Sequence, residues 1–374
     1  MKLSGTVLVT GGCGFIGSNF IRYLLDKTDF SGDVVNLDKL TYAGHLENMT
    51  DIQSNYSERY HFVRGDIADR NVVTNIFHEF QIRTVAHFAA ESHVDRSITG
   101  SAPFMETNIL GTWTLLEAAR NAWGNHADPG QFRFHHVSTD EVFGQLGPDD
   151  PAFCESTSYD PRSPYSASKA SSDHLVRAWF HTYGVPVTIS NCSNNYGPYQ
   201  YPEKLIPVVI LNALGGKPIP VYGDGGNVRD WLFVEDHCEA LWRILESGDP
   251  GETYNIGGNC EMANIDLVHM ICDILDEIHP LRGSVSASAR KNAEPEPISD
   301  LSEHRTLNTE HLPSYRELIS FVTDRPGHDR RYAMDTGKIK QTLEWSAGTE
   351  FRNGLTRTIR WYFENREWID AVQK

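Results

Sequence analysis

Along the first half of the chain, apolar residues fall in short continuous runs: TVLVT (6–10), DVVNLD (33–38), YHFVRG (60–65), TVAHFAA (84–90), RFHHVS (133–138) and PVTISN (186–191). Runs of this length predict strands buried on both faces. Between them, RNVVTNIFHEF and TNILGTWTLLEAARNAW place apolar residues three and four apart, the spacing of a helix with one buried face. Strand and helix patterns in alternation predict an α/β fold, a doubly wound parallel sheet covered by helices on both sides. Ligands of such a sheet lie beyond the carboxyl ends of its strands.

After residue 191 the rhythm changes. Asn, Gly, Pro and Tyr cluster in NCSNNYGPYQYPEKLIP, and shorter elements follow, among them the helical patterns LVHMICDILDEI and LTRTIRWYFENREWIDAV. Two domains are expected: residues 1–190 as the Rossmann-type domain, with a return of the chain at about 230–258, and residues 191–374 as a smaller α/β domain. Residues 282–313 are poor in large apolar side chains and rich in Ser, Glu and Pro, which predicts a surface loop.

Composition narrows the partners. With 374 residues, of which 40% are hydrophobic and 22% charged, the chain is of ordinary globular type. Its net charge of −17 disfavours nucleic acid and acidic membranes as partners, while a small anionic ligand answers only to its local site. No apolar run approaches the roughly 20 residues of a membrane span, and no leader pattern is visible, so a cytoplasmic enzyme is expected. Six cysteines without a C-x-x-C and sixteen histidines without H-E-x-x-H predict no metal site and no disulfide framework.

Three stretches carry candidate chemistry. In VLVTGGCGFIGSNF, Gly11, Gly14 and Gly17 stand between a strand and a helix, where glycines let the backbone approach a pyrophosphate at the helix N-terminus. Asp38 closes the second strand 21 positions beyond Gly17, placed to bind ribose hydroxyls and to oppose a 2′-phosphate, so NAD is favoured over NADP. Asp66 and Ile67, after the third strand, are positioned to frame the adenine, although Asp66 also suits a turn.

The second stretch, RSPYSASKASSDHLVRAWFHTYG, reads as a helix with Ser163 as cap, Pro164 in its first turn and Gly184 as its stop. Tyr165 and Lys169 are then one turn apart on one face. A phenol with an ordinary pKa of about 10 needs nearby positive charge to act as a base, and Lys169 is placed to supply it. The third stretch, STDEVFG, sets Thr139, Asp140 and Glu141 side by side after an apolar run. In a continuing strand the two carboxylates would face opposite ways, so they can share a pocket only where the strand ends. Ser138-x-x-Glu141 also fits a capping box, and a helix start remains the alternative to an acid–base pair.

Together, TGGCGFIGS, HFAAESHVDRSI, YSASK and NNYGP resemble the extended short-chain dehydrogenase/reductase family. The segments STDEVFG, NCSNNYGPYQYPEKLIP, RDWLFVEDH and DRPGHDRRYAMD resemble its nucleotide-sugar 4,6-dehydratases. That resemblance implies bound NAD, with Phe15, Ile16, Lys39, Thr41 and Ala89 joining the cofactor residues above, and dTDP-glucose as substrate. It implies that Tyr165 takes a proton from the C4 hydroxyl as hydride leaves C4, that Thr139 polarises the C4 oxygen, and that Glu141 and Asp140 then remove water across C5 and C6. It further implies substrate contacts from His93, Ser97, Asn194, Glu203, Lys204, Arg229, Asn264, Arg325 and His328, and a homodimer through helices of the first domain. Two alternatives remain: a nucleotide-sugar 4-epimerase, which has no use for Asp140 and Glu141, and a redox-silent NAD-binding scaffold.

Overall fold

The computed structural model describes residues 4–124, 130–281, 314–324 and 328–373. The expected loop 282–313 and Arg325 lie outside the described residues. Seven parallel strands form the main sheet: β1 (Thr6–Thr10), β2 (Val34–Asp38), β3 (Tyr60–Arg64), β4 (Ile82–His87), β5 (Arg133–Thr139), β6 (Val187–Cys192) and β10 (Thr253–Ile256). Their order is β10-β6-β5-β4-β1-β2-β3. The chain therefore winds outward from β1 in one direction, then returns to β4 and winds in the other. The crevice at the carboxyl ends of β1 and β4 is the switch point at which such sheets bind ligands.

The six apolar runs all form strands of this sheet, each bound within a few residues of its expected position. The seventh, β10, is four residues long and fully buried. It carries too little pattern for the sequence to announce it. Two small sheets stand apart from the main one: β7 (Asn194–Tyr196), β9 (Val228–Phe233) and β11 (Glu261–Ala263) in the order β11-β9-β7, and β8 (Ile219–Tyr222) beside β12 (Ile319–Val322).

Two helices position the chemistry. Helix Phe15–Lys27 buries Phe20, Ile21, Leu24 and Leu25 and is seated in a core with Val7 and Val9 of β1. Helix Pro164–Tyr183 begins in a capping box, in which Ser163 Oγ accepts the Ser166 amide and Ser166 Oγ closes back on the Ser163 amide. It stops at Gly184, whose φ of 70° is left-handed, a conformation glycine adopts without a steric penalty. Start and stop fall where the sequence places them, and that fixes Tyr165 and Lys169 in the first turns, against β5.

Candidate active site

A cavity of about 380 Å³ opens at the carboxyl ends of the strands. Its walls come from the segments that follow β1, β2, β4, β5 and β6, so residues far apart in sequence meet there. Every cofactor residue expected from the sequence lines it: Gly11, Gly14, Phe15, Ile16, Gly17, Asp38, Lys39, Thr41, Asp66, Ile67, Ala89, Tyr165 and Lys169.

At one end the backbone forms a cradle. Gly11 has φ +72°, and a Cβ there would lie 2.8 Å from the Ala89 backbone. A Cβ on Gly17 would lie 2.3 Å from the Gly11 carbonyl oxygen. Helix Phe15–Lys27 starts from Gly14 with no side-chain cap, which leaves its positive end to an anion. Asp38 Oδ2 accepts the Cys13 amide at 2.8 Å and Oδ1 the Leu40 amide at 2.8 Å, which fixes the carboxylate while each oxygen keeps a lone pair for a ribose hydroxyl. Asp66 is both turn residue and wall, with Oδ1 accepting the Ala68 amide and Oδ2 paired with Lys39 at 2.6 Å. Pyrophosphate at a bare helix end and ribose at a held carboxylate is a donor set that fits a dinucleotide.

The cradle yields a first prediction. Gly17→Ala forces a methyl group into backbone, so purified protein should carry little NAD and melt several degrees lower, a destabilisation of about 1–3 kcal/mol. Cofactor content by absorbance and a thermal melt check it. Wild-type NAD occupancy in the variant would mean that the glycine is not needed for close approach.

At the other end stand the reactive groups. Strand β5 ends at Thr139, and the chain turns at once into a short helix, Asp140–Phe143, capped by Thr139 Oγ1, which accepts the Glu141 amide at 3.3 Å. The helix start is real, with Thr139 rather than Ser138 as its cap, and the turn is what brings Asp140 and Glu141 to one cavity wall. The two readings of this stretch therefore coincide. Thr139 Oγ1 also donates to Asp140 Oδ1 at 3.1 Å. Asp140 Oδ2 is buried without a hydrogen-bond partner among the described residues.

Burial, and next the neighbouring Glu141 charge, raise the Asp140 carboxyl to about 8; the Thr139 hydroxyl and Arg229 oppose the rise. At neutral pH Asp140 is thus the protonated member of the pair, a carboxylic acid able to donate. Tyr165 is buried beside them, and burial, followed by Glu141, holds its phenol well above the ordinary value. That direction is opposite to what a base requires. The Thr139 hydroxyl bonds to it and pulls the other way, and the cationic groups expected to complete the shift are Lys169 and the nicotinamide ring. Lys169 Nζ donates to the Val137 carbonyl at 2.8 Å, and burial lowers its ammonium to about 8.

The proposed sugar contacts divide. Asn194, Glu203 and Lys204 line the cavity, and Lys204 Nζ donates to the Ser92 carbonyl at 3.1 Å. Burial raises the Glu203 carboxyl against the pull of Lys204 and Arg96. His93 stands just behind, with Nε2 3.7 Å from Glu203 Oε2. The remaining four described residues are not on the wall. Ser97 is fully buried and donates to the Val94 carbonyl. Arg229 bonds the carbonyls of Val228 and Asp329 and lies over the Tyr332 ring at 4.3 Å. Asn264 opens helix Asn264–Ile278, and His328 Nδ1 lies 2.7 Å from Asp324 Oδ1.

Several wall residues carry no sequence motif, among them Glu91, Thr107, Cys192, Gln200, Tyr201 and Trp231. Asn108 supports them from behind, pinning the Glu91 backbone through both amide atoms and donating to Ser168 Oγ at 2.8 Å. Position just past a strand end was the available signal for Glu91 and Cys192.

A family model described as GDP-mannose 4,6 dehydratase matches residues 8–358. The chain belongs to this 4,6-dehydratase family. Within the family it is 53% identical to a dTDP-glucose 4,6-dehydratase of Escherichia coli over 98% of this chain and 96% of the relative. It is 52% identical to that of Salmonella typhimurium, over 98% and 95%. Among solved structures, a dTDP-glucose 4,6-dehydratase from Streptomyces venezuelae with NAD bound superposes with a TM-score of 0.81 at 41% identity, covering 98% of this chain and 99% of that one. A UDP-glucose 4-epimerase from Thermotoga maritima shares the fold at a TM-score of 0.76 and 25% identity, over 96% and 99%. The dehydratases, not the epimerases, are the nearer kin, and the fold is that of the extended short-chain dehydrogenase/reductases.

Proposed function

We propose that this 4,6-dehydratase is an NAD-dependent hydro-lyase that converts dTDP-glucose to dTDP-4-keto-6-deoxyglucose. One observation carries the reading: Asp140, protonated at neutral pH, stands beside Glu141 in the cavity that also holds Tyr165 and Lys169. An acid next to a base is what elimination needs and what epimerisation does not use.

NAD held by Gly11, Gly14, Gly17 and Asp38 supplies an acceptor for hydride from sugar C4 and gives that hydride back at C6. Tyr165 takes the C4 hydroxyl proton, with Thr139 beside the same oxygen. The resulting ketone acidifies the C5 proton, which Glu141 removes. Asp140 protonates the departing C6 oxygen, so that it leaves as water, and Glu141 then returns its proton to C5. Each turnover leaves Tyr165 one proton richer and Asp140 one poorer. Thr139, hydrogen-bonded to both, offers the short route by which the site resets.

Asn194, Glu203 and Lys204 are assigned to the sugar and its phosphate, with His93 behind them. Residues 1–190, with the return at about 230–258, are assigned to the cofactor, and residues 191–374 to the sugar nucleotide. A homodimer in the cytoplasm is proposed as well. Leu110 is 52% exposed in a segment leading into helix Thr112–Trp123, and Tyr183 is 39% exposed at the end of helix Pro164–Tyr183, which suits a helix-to-helix contact between copies. Six cysteines are all free thiols, as a reducing compartment allows, and no described helix is long and apolar enough to cross a membrane. Sedimentation finding only the single-chain mass would remove the dimer.

The function itself is tested by incubating the purified protein with dTDP-glucose in D₂O. A product that has lost one water and carries solvent deuterium at C5 supports the reading. Recovery of only glucose and galactose isomers would replace it with the epimerase.

A further inference from the structure

Beneath Lys169 lies a set of buried polar groups that the reaction does not itself consume. Asp173, one turn further along the same helix, is fully buried. Its Oδ2 accepts from Ser138 Oγ at 2.9 Å and from the Tyr159 hydroxyl at 2.8 Å, and that hydroxyl accepts from Arg177, which is half-buried, at 2.8 Å. Its Oδ1 lies 3.1 Å from His136 Nε2, and the same nitrogen is 3.5 Å from Lys169 Nζ. Placing the His136 proton on Nε2 makes it a donor to Asp173; the other tautomer would set a lone pair against a carboxylate. His136 Nδ1 has no partner among the described residues.

We propose that Asp173, with His136 between, is a positioning residue that keeps Lys169 an ammonium in a dry site and so sets the pH range over which Tyr165 can accept the sugar proton. This inference rests on the function proposed above, in which Tyr165 is the base. The reason is electrostatic: a lone ammonium this deeply buried would shed its proton, and a carboxylate held by three donors is the compensating charge that stays ionised. Burial lowers the Lys169 ammonium, and Asp173 is the foremost influence raising it again. The hydrogen bond and charge of His136 keep Asp173 below the ordinary carboxylate range despite its burial. Burial, and next the Lys169 charge, hold His136 neutral, down at about 4.

The other titratable groups facing this cluster are accounted for. His87, on β4, has its ring 5.1 Å from that of His136, and burial keeps it neutral. His135 is likewise neutral by burial, and the Cys192 thiol, on β6, is pushed up to about 12, again chiefly by burial. Among the groups packed on Lys169, Asp173 is therefore the one that carries a negative charge at neutral pH.

The test follows the first half-reaction alone, as single-turnover reduction of the bound nicotinamide by dTDP-glucose across a pH series. Asp173→Asn keeps the size of the side chain and loses the charge. The alkaline limb of the oxidation rate, which reports Lys169, should move down by about one pH unit or more. An unmoved limb in folded Asp173→Asn holoenzyme would overturn the inference. Tyr165→Phe run beside it separates the two readings: loss of oxidation there with an unmoved limb in Asp173→Asn sinks only this inference, whereas retained oxidation sinks the base assignment. A second measurement covers the case in which Asp173→Asn does not fold. In Lys169→Met the ring protons of His136, followed by NMR, should titrate at higher pH than in wild type, because the repelling cation is gone and the carboxylate remains. An identical His136 titration would show that the three groups are not coupled.

Discussion

Asp140→Asn oxidises its substrate at C4 but releases almost no dehydrated product, with turnover down by about 10²–10⁴, the usual contribution of a positioned general acid. The amide keeps the size of the carboxyl and can still accept the Thr139 hydroxyl, so the site should stay assembled. What it lacks is a proton to give to the departing C6 oxygen. The defect should therefore appear after oxidation: reduced cofactor accumulates under turnover, and sugar recovered by acid quench includes the 4-keto-glucose stage. The same group sets a limb of the wild-type profile. Because elimination needs Asp140 protonated and its pKa is raised to about 8, kcat should fall as pH rises through that value. That limb should vanish when the elimination step alone is measured in Asp140→Asn. Undiminished dehydration by Asp140→Asn would remove this residue from the acid role.

Tyr165→Phe fails earlier. Without the phenol oxygen nothing takes the C4 hydroxyl proton, and oxidation itself should slow by about 10²–10⁴. Cofactor binding should change little, because the cradle formed by Gly11, Gly14 and Gly17 lies at the other end of the cavity. The contrast with Asp140→Asn is diagnostic. One variant stalls with the cofactor oxidised, the other with it reduced, and stopped-flow absorbance of the nicotinamide distinguishes them. Reduced cofactor appearing at the wild-type rate in Tyr165→Phe would contradict the assignment.

Much of this was legible in the chain because local chemistry dictated it. Only glycine tolerates the backbone contacts at Gly11 and Gly17, and Ser163, Pro164 and Gly184 are the residues that begin and end a helix at those places. The strands of the main sheet are buried on both faces and so appear as unbroken apolar runs. Asp140 and Glu141 were readable as a pair, but not as acid and base. That division depends on how deeply Asp140 is buried, a property of the packed cavity and not of neighbours in sequence. Asp173 is harder still, since Ser138 and His136 come from β5, Tyr159 from a loop and Lys169 from a helix. Their convergence is a product of the sheet's winding, and no spacing rule connects them. Arg229 shows the reverse. Its arginine in RDWLFVEDH suggested a hand on the substrate's phosphates, yet its guanidinium is occupied by the Val228 and Asp329 carbonyls and by the ring of Tyr332. From there it opposes the rise of the Asp140 carboxyl.

The central claim is that one cavity lends out a hydride and takes it back, with water lost in between. Substrate carrying deuterium at C4, turned over in ordinary water and read by NMR and mass spectrometry, tests it most directly. The account predicts a 4-keto-6-deoxy product with the deuterium on its C6 methyl group. Deuterium washed into solvent, or found again on C4, would contradict it.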